Sequence, residues 1–191
     1  MAAHGKKYDQ AIKLIERWDG EFDLDFVEAP IPARPVRTMA ALRSRLKVAL
    51  CANEGLGSEQ DTMAMIHADA ADVLCFSSYW VGTMQAFLTL GRAAGLSGMK
   101  VCKHTHGEFG IAAAAHHHAL LALENGAGGH QQTASVMTDD ILVTTLPIED
   151  GPKWGVIDGV GLGVEIDPGK LNFYHQKFVE SGQFLPSGGK A

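Results

Sequence analysis

The sequence lacks an excess of positive charge, a long apolar run and an apolar N-terminal segment. Its 191 residues contain 16 Lys and Arg against 22 Asp and Glu, a formal net charge of −6. No basic excess is available to neutralise phosphates, so we predict no nucleic-acid partner. The longest apolar stretch, residues 111–123, is interrupted by three histidines and is shorter than the roughly 20 residues that a bilayer requires. We therefore predict no membrane contact and, because the first residues do not resemble a signal peptide, a cytoplasmic location.

Cysteine is scarce as well, and its count is odd. Cys51, Cys75 and Cys102 each close a short apolar run. We interpret them as small buried hydrophobic residues in strands, in preference to a disulfide or metal role. The remaining composition, 46% hydrophobic and 20% charged, is typical of a globular chain, and the length fits one domain or part of a larger one.

Helical periodicity alternates with short apolar strands along the first 145 residues. The strands begin at intervals of about 25 residues, with one helix between each pair. This alternation predicts an α/β fold with parallel strands joined by crossover helices, as in a barrel or a doubly wound sheet. Frequent Gly and Pro predict an extended wrap and a tail over residues 146–191. The predicted helices are 8–18, 36–46, 58–68 (with Ser58 as N-cap), 82–94 and 108–123, and the predicted strands are 22–27, 47–51, 72–76, 99–103 and 129–133.

Polar residues stand at the ends of several predicted strands. Glu28 ends the first strand, Glu54 follows the second, and Ser77 ends the third. Lys103 and His104 end the fourth. The carboxyl ends of parallel strands gather at one edge, where α/β proteins carry out their chemistry. Glu28 and Glu54 would there form a hard-oxygen site for Mg²⁺, the alternative being that each caps a loop or forms a salt bridge.

Three segments resemble the mandelate racemase/muconate lactonizing enzyme group of the enolase superfamily: Phe26-Val-Glu-Ala-Pro-Ile-Pro32, Cys51-Ala-Asn-Glu54 and Gly159-Val-Gly-Leu-Gly163. The similarity extends from about residue 7 to residue 175. It implies that residues 1–145 form the C-terminal portion of a TIM-like (β/α) barrel, from roughly the third helix to the eighth strand. Residues 146–191 would then be the C-terminal wrap.

The resemblance also implies a metal site. That group binds one Mg²⁺ through acids on the third, fourth and fifth strands, and Glu28 and Glu54 match the fourth-strand and fifth-strand ligands. The third-strand Asp, the second-strand Lys-x-Lys motif, the first strands and the N-terminal capping domain have no match in this sequence. We therefore expect a C-terminal fragment of a protein roughly twice as long.

The catalytic residues follow from the same resemblance. His104 matches a seventh-strand His that acts as general base or acid, the alternative being a structural His at a helix entrance. Ser77 stands where the group has an Asp that orients this His. Lys103 is a second candidate for proton transfer, but adjacent strand residues face opposite sides, so only one of the pair should reach the site.

Five residues are assigned to substrate binding by their positions near the expected barrel mouth. The alternatives are packing under a loop for Tyr79 and capping of the following helix for His106 and Glu108. The five residues are Ser77, Tyr79, His106, Glu108 and His130.

The implied reaction is Mg²⁺-dependent removal of the proton next to a carboxylate, through an enolate intermediate. The substrate would be a small-molecule carboxylate, and the enzyme a lyase or isomerase: a sugar-acid dehydratase, or a 2-hydroxy-acid racemase or epimerase. We expect a homo-oligomer for the full-length protein. Two alternatives remain, an inactive truncated barrel and an amidohydrolase-type metal hydrolase that uses His104 and His106.

Overall fold

The computed structural model describes residues 2–77, 81–105, 107–131, 137–150 and 153–182. The chain divides into two units. The first contains the residues up to His104 together with Ala119–His130, and the second contains Thr105–His118 with the residues from Gln131 onward. Within the described ranges, no helix combines the length and the apolar character needed to cross a bilayer.

Four parallel strands form the sheet of the first unit, in the spatial order β1-β2-β3-β4. A helix lies between each pair of consecutive strands, so every connection is a crossover. This parallel α/β sheet confirms the predicted fold class. The elements are α1 (Ala2–Phe22), β1 (Phe26–Glu28), α2 (Val36–Arg43), β2 (Ala49–Ala52), α3 (Glu59–His67), β3 (Val73–Ser77), α4 (Met84–Leu96) and β4 (Lys100–His104).

Local side-chain signals fix where α3 and α4 begin. The hydroxyl of Ser58 accepts a hydrogen bond from the backbone N–H of Asp61 (3.1 Å). Thr83 caps α4 in the same way through the N–H of Ala86 (3.1 Å). Each bond satisfies one of the backbone donors that the first turn of a helix leaves free. Ser58 is thus the N-cap predicted from the sequence.

The two faces of the sheet carry different side chains. Because side chains alternate along a strand, the register partners Cys75 and Cys102 share one face, and Phe76 and Lys103 share the other. Phe76 meets Phe87 of α4 edge to face, with ring centroids 5.5 Å apart. We call the first face the thiol face, because its buried cluster consists of Cys51, Val73, Cys75 and Cys102, with Phe26 and Ala127 packed against it.

A further segment runs parallel to β4 on its outer side. Val101 donates its N–H to the carbonyl of Asn125 (2.9 Å) and accepts the N–H of Ala127 (2.8 Å). The side-chain Nδ2 of Asn125 fixes this segment by donating to two backbone carbonyls, at 3.0 and 2.9 Å. The strand predicted at 129–133 is therefore displaced. Pairing occurs a few residues earlier, and the last two residues of that range lie outside the described ones.

The second unit has a short helical part and a small core of its own. Helix α5 covers Gly110–Leu121, and its residues up to His118 belong to this unit. The carboxylate of Asp140 accepts the N–H of Gly110 (3.0 Å) at the start of the helix. An antiparallel pair follows, β5 (Ile148–Glu149) and β6 (Lys153–Trp154). The core consists of Ala113, Ala114, Leu142 and Leu146.

The segment after residue 146 contains a helix that the sequence did not predict. Helix α6 covers Pro168–Ser181. Asp167 caps it by accepting the N–H groups of Gly169 (2.8 Å) and Lys170 (3.1 Å), and Pro168 occupies the first turn. An Asp followed by Pro is a helix-start signal, and the surrounding Gly-rich turns concealed it.

Candidate active site

The carboxyl ends of the strands bring four predicted site residues to one edge of the first unit. Glu28 ends β1, Ser77 ends β3, His104 ends β4, and Glu54 follows β2 by two residues. The strands are parallel, so these ends lie at the same edge. Ser77 and His104 are register partners, and Glu28 is the register partner of Cys51. Glu28, Ser77 and His104 therefore belong to the thiol face.

Glu28 and Glu54 influence each other electrostatically. Both side chains are exposed. Desolvation by the surrounding protein is the largest cause that raises the pKa of Glu28 above its usual value, and the nearby Cys75 and Glu54 side chains add to it. Within the described part of the chain, no ion pair joins either carboxylate to a cationic side chain. Two mutually repelling carboxylates, one at the end of β1 and one just after β2, supply hard oxygen ligands, and their donor set fits a divalent cation such as Mg²⁺.

The backbone around Glu28 is held firmly. Ala29 has a φ of 40°, in the left-handed region that non-glycine residues rarely adopt. Its N–H donates to the carbonyl of Cys51 (2.9 Å), which continues the pairing with β2 beyond the end of β1. Such a conformation costs free energy and is kept only where the surroundings determine it. The position of Glu28 is thus fixed by its neighbours.

Asn53 is a further polar residue at this edge, and the sequence had placed it only within a motif. It is 5% exposed, and its Nδ2 finds no hydrogen-bond acceptor among the described residues. A buried donor without an acceptor costs about 1–3 kcal/mol. Next to Glu54, this amide is a candidate contact for a ligand oxygen. The signal is its burial, which no sequence pattern displays.

His104 and Lys103 point to opposite sides of β4. The pKa of Cys75 is raised to about 12, mainly by its hydrogen bond with Cys102, and the charge of His104 opposes this rise. That interaction agrees with a place for His104 on the thiol face. Lys103 is fully buried, and its Nζ donates to the backbone carbonyl of His104 (3.2 Å).

His130 contacts the backbone of β4. Its Nδ1 accepts the N–H of Lys103 (3.3 Å), an arrangement that requires the neutral ring with the proton on Nε2. Burial is the largest cause that lowers the pKa of His130; the nearby Cys75 opposes this shift, and the positive charge of Lys103 adds to it. His130 is therefore an acceptor for the strand as well as a candidate substrate contact.

The other predicted substrate residues belong to the second unit or lie outside the described ranges. Glu108 accepts a hydrogen bond from the hydroxyl of Thr105 (2.7 Å), whose Oγ1 also accepts the N–H of Gly107 (3.2 Å). These bonds organise the turn before α5. Tyr79 and His106 lie outside the described residues.

Comparison with known proteins identifies relatives of this chain. The pattern of the family described as enolase C-terminal domain-like matches residues 2–170. The o-succinylbenzoate synthase of Thermobifida fusca (strain YX) is 32% identical over 88 residues, which make up 46% of this chain and 27% of that protein.

Solved structures share the fold. An isomerase from Streptomyces coelicolor A3(2) is 25% identical with a TM-score of 0.77, over 89% of this chain and 45% of that one. An enolase from Pseudomonas fluorescens Pf0-1 with bound magnesium, potassium and tartrate is 21% identical with a TM-score of 0.76, over 92% of this chain and 41% of that one. The chain thus spans less than half the length of each of these relatives.

Proposed function

Because the chain belongs to the enolase C-terminal domain-like family, we propose that it contributes to the Mg²⁺-dependent removal of the proton next to a carboxylate. Members of the enolase superfamily carry out this reaction. The supporting observation is the edge at which Glu28, Glu54, Ser77 and His104 meet. It combines hard oxygen ligands with a group able to accept a proton.

Glu28 and Glu54 would hold the Mg²⁺ through carboxylate oxygens, with water and substrate oxygens completing the coordination. When bound, the cation neutralises the negative charge that develops on the substrate as the proton leaves. The raised pKa of Glu28, caused first by desolvation and further by the nearby Cys75 and Glu54, supports this assignment. A cation between two repelling carboxylates removes part of that repulsion.

We assign the proton transfer to His104 rather than Lys103. His104 belongs to the same face as Glu28 and Ser77, whereas Lys103 is enclosed on the opposite face. An imidazole nitrogen of His104 would accept the proton. Ser77, the register partner of His104, supplies an uncharged hydroxyl where the family resemblance places an orienting carboxylate. Lys103 acts as a positioning residue through its bond to the His104 carbonyl.

For the substrate we propose a small carboxylate: a sugar acid, as a dehydratase would take, or a 2-hydroxy acid, as a racemase or epimerase would. Support comes from the tartrate held by the Pseudomonas fluorescens enolase and from the synthase and isomerase relatives. The hydrolase alternative would use His104 together with His106, which lies outside the described residues.

Two experiments test the proposal. Isothermal titration with Mg²⁺ should show a binding site in the parent protein and in the control Glu16→Gln, an exposed position on α1, and no binding in Glu54→Gln. Incubation with 2-hydroxy acids in deuterated water should exchange the α-proton, and His104→Asn should lose this exchange at least about 100-fold. His67→Asn, at an exposed position on α3, is the matched control. Exchange that survives in His104→Asn would remove the assigned base.

A further inference from the structure

The three cysteines of the chain meet at one point of the thiol face. Cys51, Cys75 and Cys102 come from three adjacent strands, and their Sγ atoms all lie within 4.8 Å of one another. They are 0%, 1% and 0% exposed and form no disulfide. Three sulfur atoms bonded to one centre at about 2.3 Å are about 3.5–4.0 Å apart. The observed spacing is within about 1 Å of this value, so small side-chain rotations would bring the three thiols to one ion.

Within the described residues, the group whose ligand atoms are close enough to share one ion consists of the three sulfurs, without a His, Asp or Glu. Phe26, Val73 and Ala127 pack around the sulfurs. Glu28 and His104 of the same face interact electrostatically with Cys75 but do not belong to this group. Zn²⁺ almost always takes four ligands in structural sites, and hard cations take oxygen. The geometry calls for a soft ion that is satisfied by three thiolates.

Charge then selects among the soft ions. Three thiolates carry three negative charges, so a monovalent or divalent cation would leave the complex negative in an apolar interior, which is costly. A trivalent ion makes the complex neutral. We propose that Cys51, Cys75 and Cys102 bind one trivalent thiophilic ion of the arsenite class as a neutral trithiolate complex.

The binding step balances without an oxidant. Three S–As bonds replace the three As–O bonds of arsenous acid. Each of the three thiols gives up its proton, each proton joins a departing hydroxyl, and three water molecules leave, so that arsenic stays trivalent throughout.

The first test uses the unchanged protein and arsenite alone. Mass spectrometry should show the gain of one arsenic with the loss of three hydrogens, and X-ray absorption at the arsenic edge should show three sulfur neighbours and no oxygen. Ellman titration after denaturation should find the thiols protected. Absence of bound arsenic, or arsenic with two sulfurs and one oxygen, would overturn the proposal. Displacement of the arsenic by Cd²⁺ at equal concentration would contradict the argument from charge.

Substitutions provide the second test. Cys51→Ala, Cys75→Ala and Cys102→Ala should each weaken arsenite binding about 100-fold or more, because the third bond of a preassembled site is intramolecular. Val73→Ala, in the same buried cluster, loosens the packing but keeps all three thiols, and it should bind as the parent does. If one variant fails to fold, the arsenite affinities of the other two variants and the number of sulfur neighbours of arsenic in the parent still test the proposal. Equal affinity in a folded cysteine variant would refute the three-ligand site.

Discussion

The acidic side chains at the two ends of the sheet in the first unit differ in their interactions: one is fully engaged in hydrogen bonds, and the others repel each other. Before β3, Asp72 is satisfied: its Oδ1 accepts from Nε of Arg43 (2.9 Å) and its Oδ2 accepts the N–H of Leu50 (2.8 Å). At the other end, Glu28 and Glu54 repel each other without a described cationic partner. The acid at the amino end thus stabilises the fold. The acids at the carboxyl end reduce its stability and remain available for a ligand.

Removal of the satisfied acid should have the largest effect on stability. We expect Asp72→Ala to lower the free energy of unfolding by about 3 kcal/mol, because two hydrogen bonds to a charged group are lost and the Leu50 N–H loses its acceptor. Urea denaturation measures this change. Asp69→Asn removes the charge of the more exposed partner of the same Arg43, keeps a side chain that tolerates the left-handed φ of 50° at this position, and should cost less than about 1 kcal/mol. Equal losses in both variants would show that Asp72 has no special role at this end.

Addition of Mg²⁺ should convert the repelling glutamates at the carboxyl end of the sheet into a stabilising site, as Asp72 is at the amino end. At a concentration about 100 times the dissociation constant, binding to the folded state alone raises the free energy of unfolding by about 2.7 kcal/mol. Thermal melts with and without Mg²⁺ measure this gain in the parent and in Glu16→Gln. Glu54→Gln should show no gain. A similar rise of the melting temperature in Glu54→Gln would place the cation elsewhere.

The smallest effect should come from Glu28→Gln in the absence of Mg²⁺. The pKa of Glu28 is raised above 4.5 in the folded protein, so the folded state binds this proton more tightly than the unfolded state. Its contribution to stability is therefore greatest at pH values below about 4.5 and declines as the pH rises through the raised pKa. At pH 7 the free energy of unfolding of the Gln variant should be equal to that of the parent or higher by less than about 1 kcal/mol, because the side chain is exposed.

The measurement for this third comparison is the free energy of unfolding between pH 4 and pH 8. The difference between Glu28→Gln and the parent should grow in favour of the variant as the pH rises. A parent that becomes more stable relative to the variant over this range would mean that Glu28 has a favourable partner in the folded state.

Local patterns predicted the sheet well. The second to fourth strands and the Ser58 cap follow from short-range periodicity and capping, which depend on residues close in the chain. The first strand was predicted at 22–27 but begins at Phe26, because helix α1, predicted to end at residue 18, continues through Gly20 to Phe22. The strand beside β4 was displaced because Asn125 fixes it through hydrogen bonds to residues far away in the sequence. Helix α6 was missed because the Gly-rich segment before it outweighed the Asp167 cap.

The candidate site was predictable in its position but not in its interactions. The order of the strands and their carboxyl ends already placed Glu28, Glu54 and His104 near one another. The strand register that joins Cys51, Cys75 and Cys102 is a tertiary property, and so is the burial of Asn53. For that reason the sequence predicted only that the three cysteines are buried. Their proximity to one another is visible only in the structure.

The most direct test of the account is a crystal structure of the protein with Mn²⁺, which accepts the same oxygen ligands as Mg²⁺ and scatters anomalously. We expect one anomalous peak bonded to carboxylate oxygens of both Glu28 and Glu54, at distances of about 2.0–2.2 Å. No peak at this edge at saturating Mn²⁺, or a peak bonded to neither glutamate, would contradict the central claim.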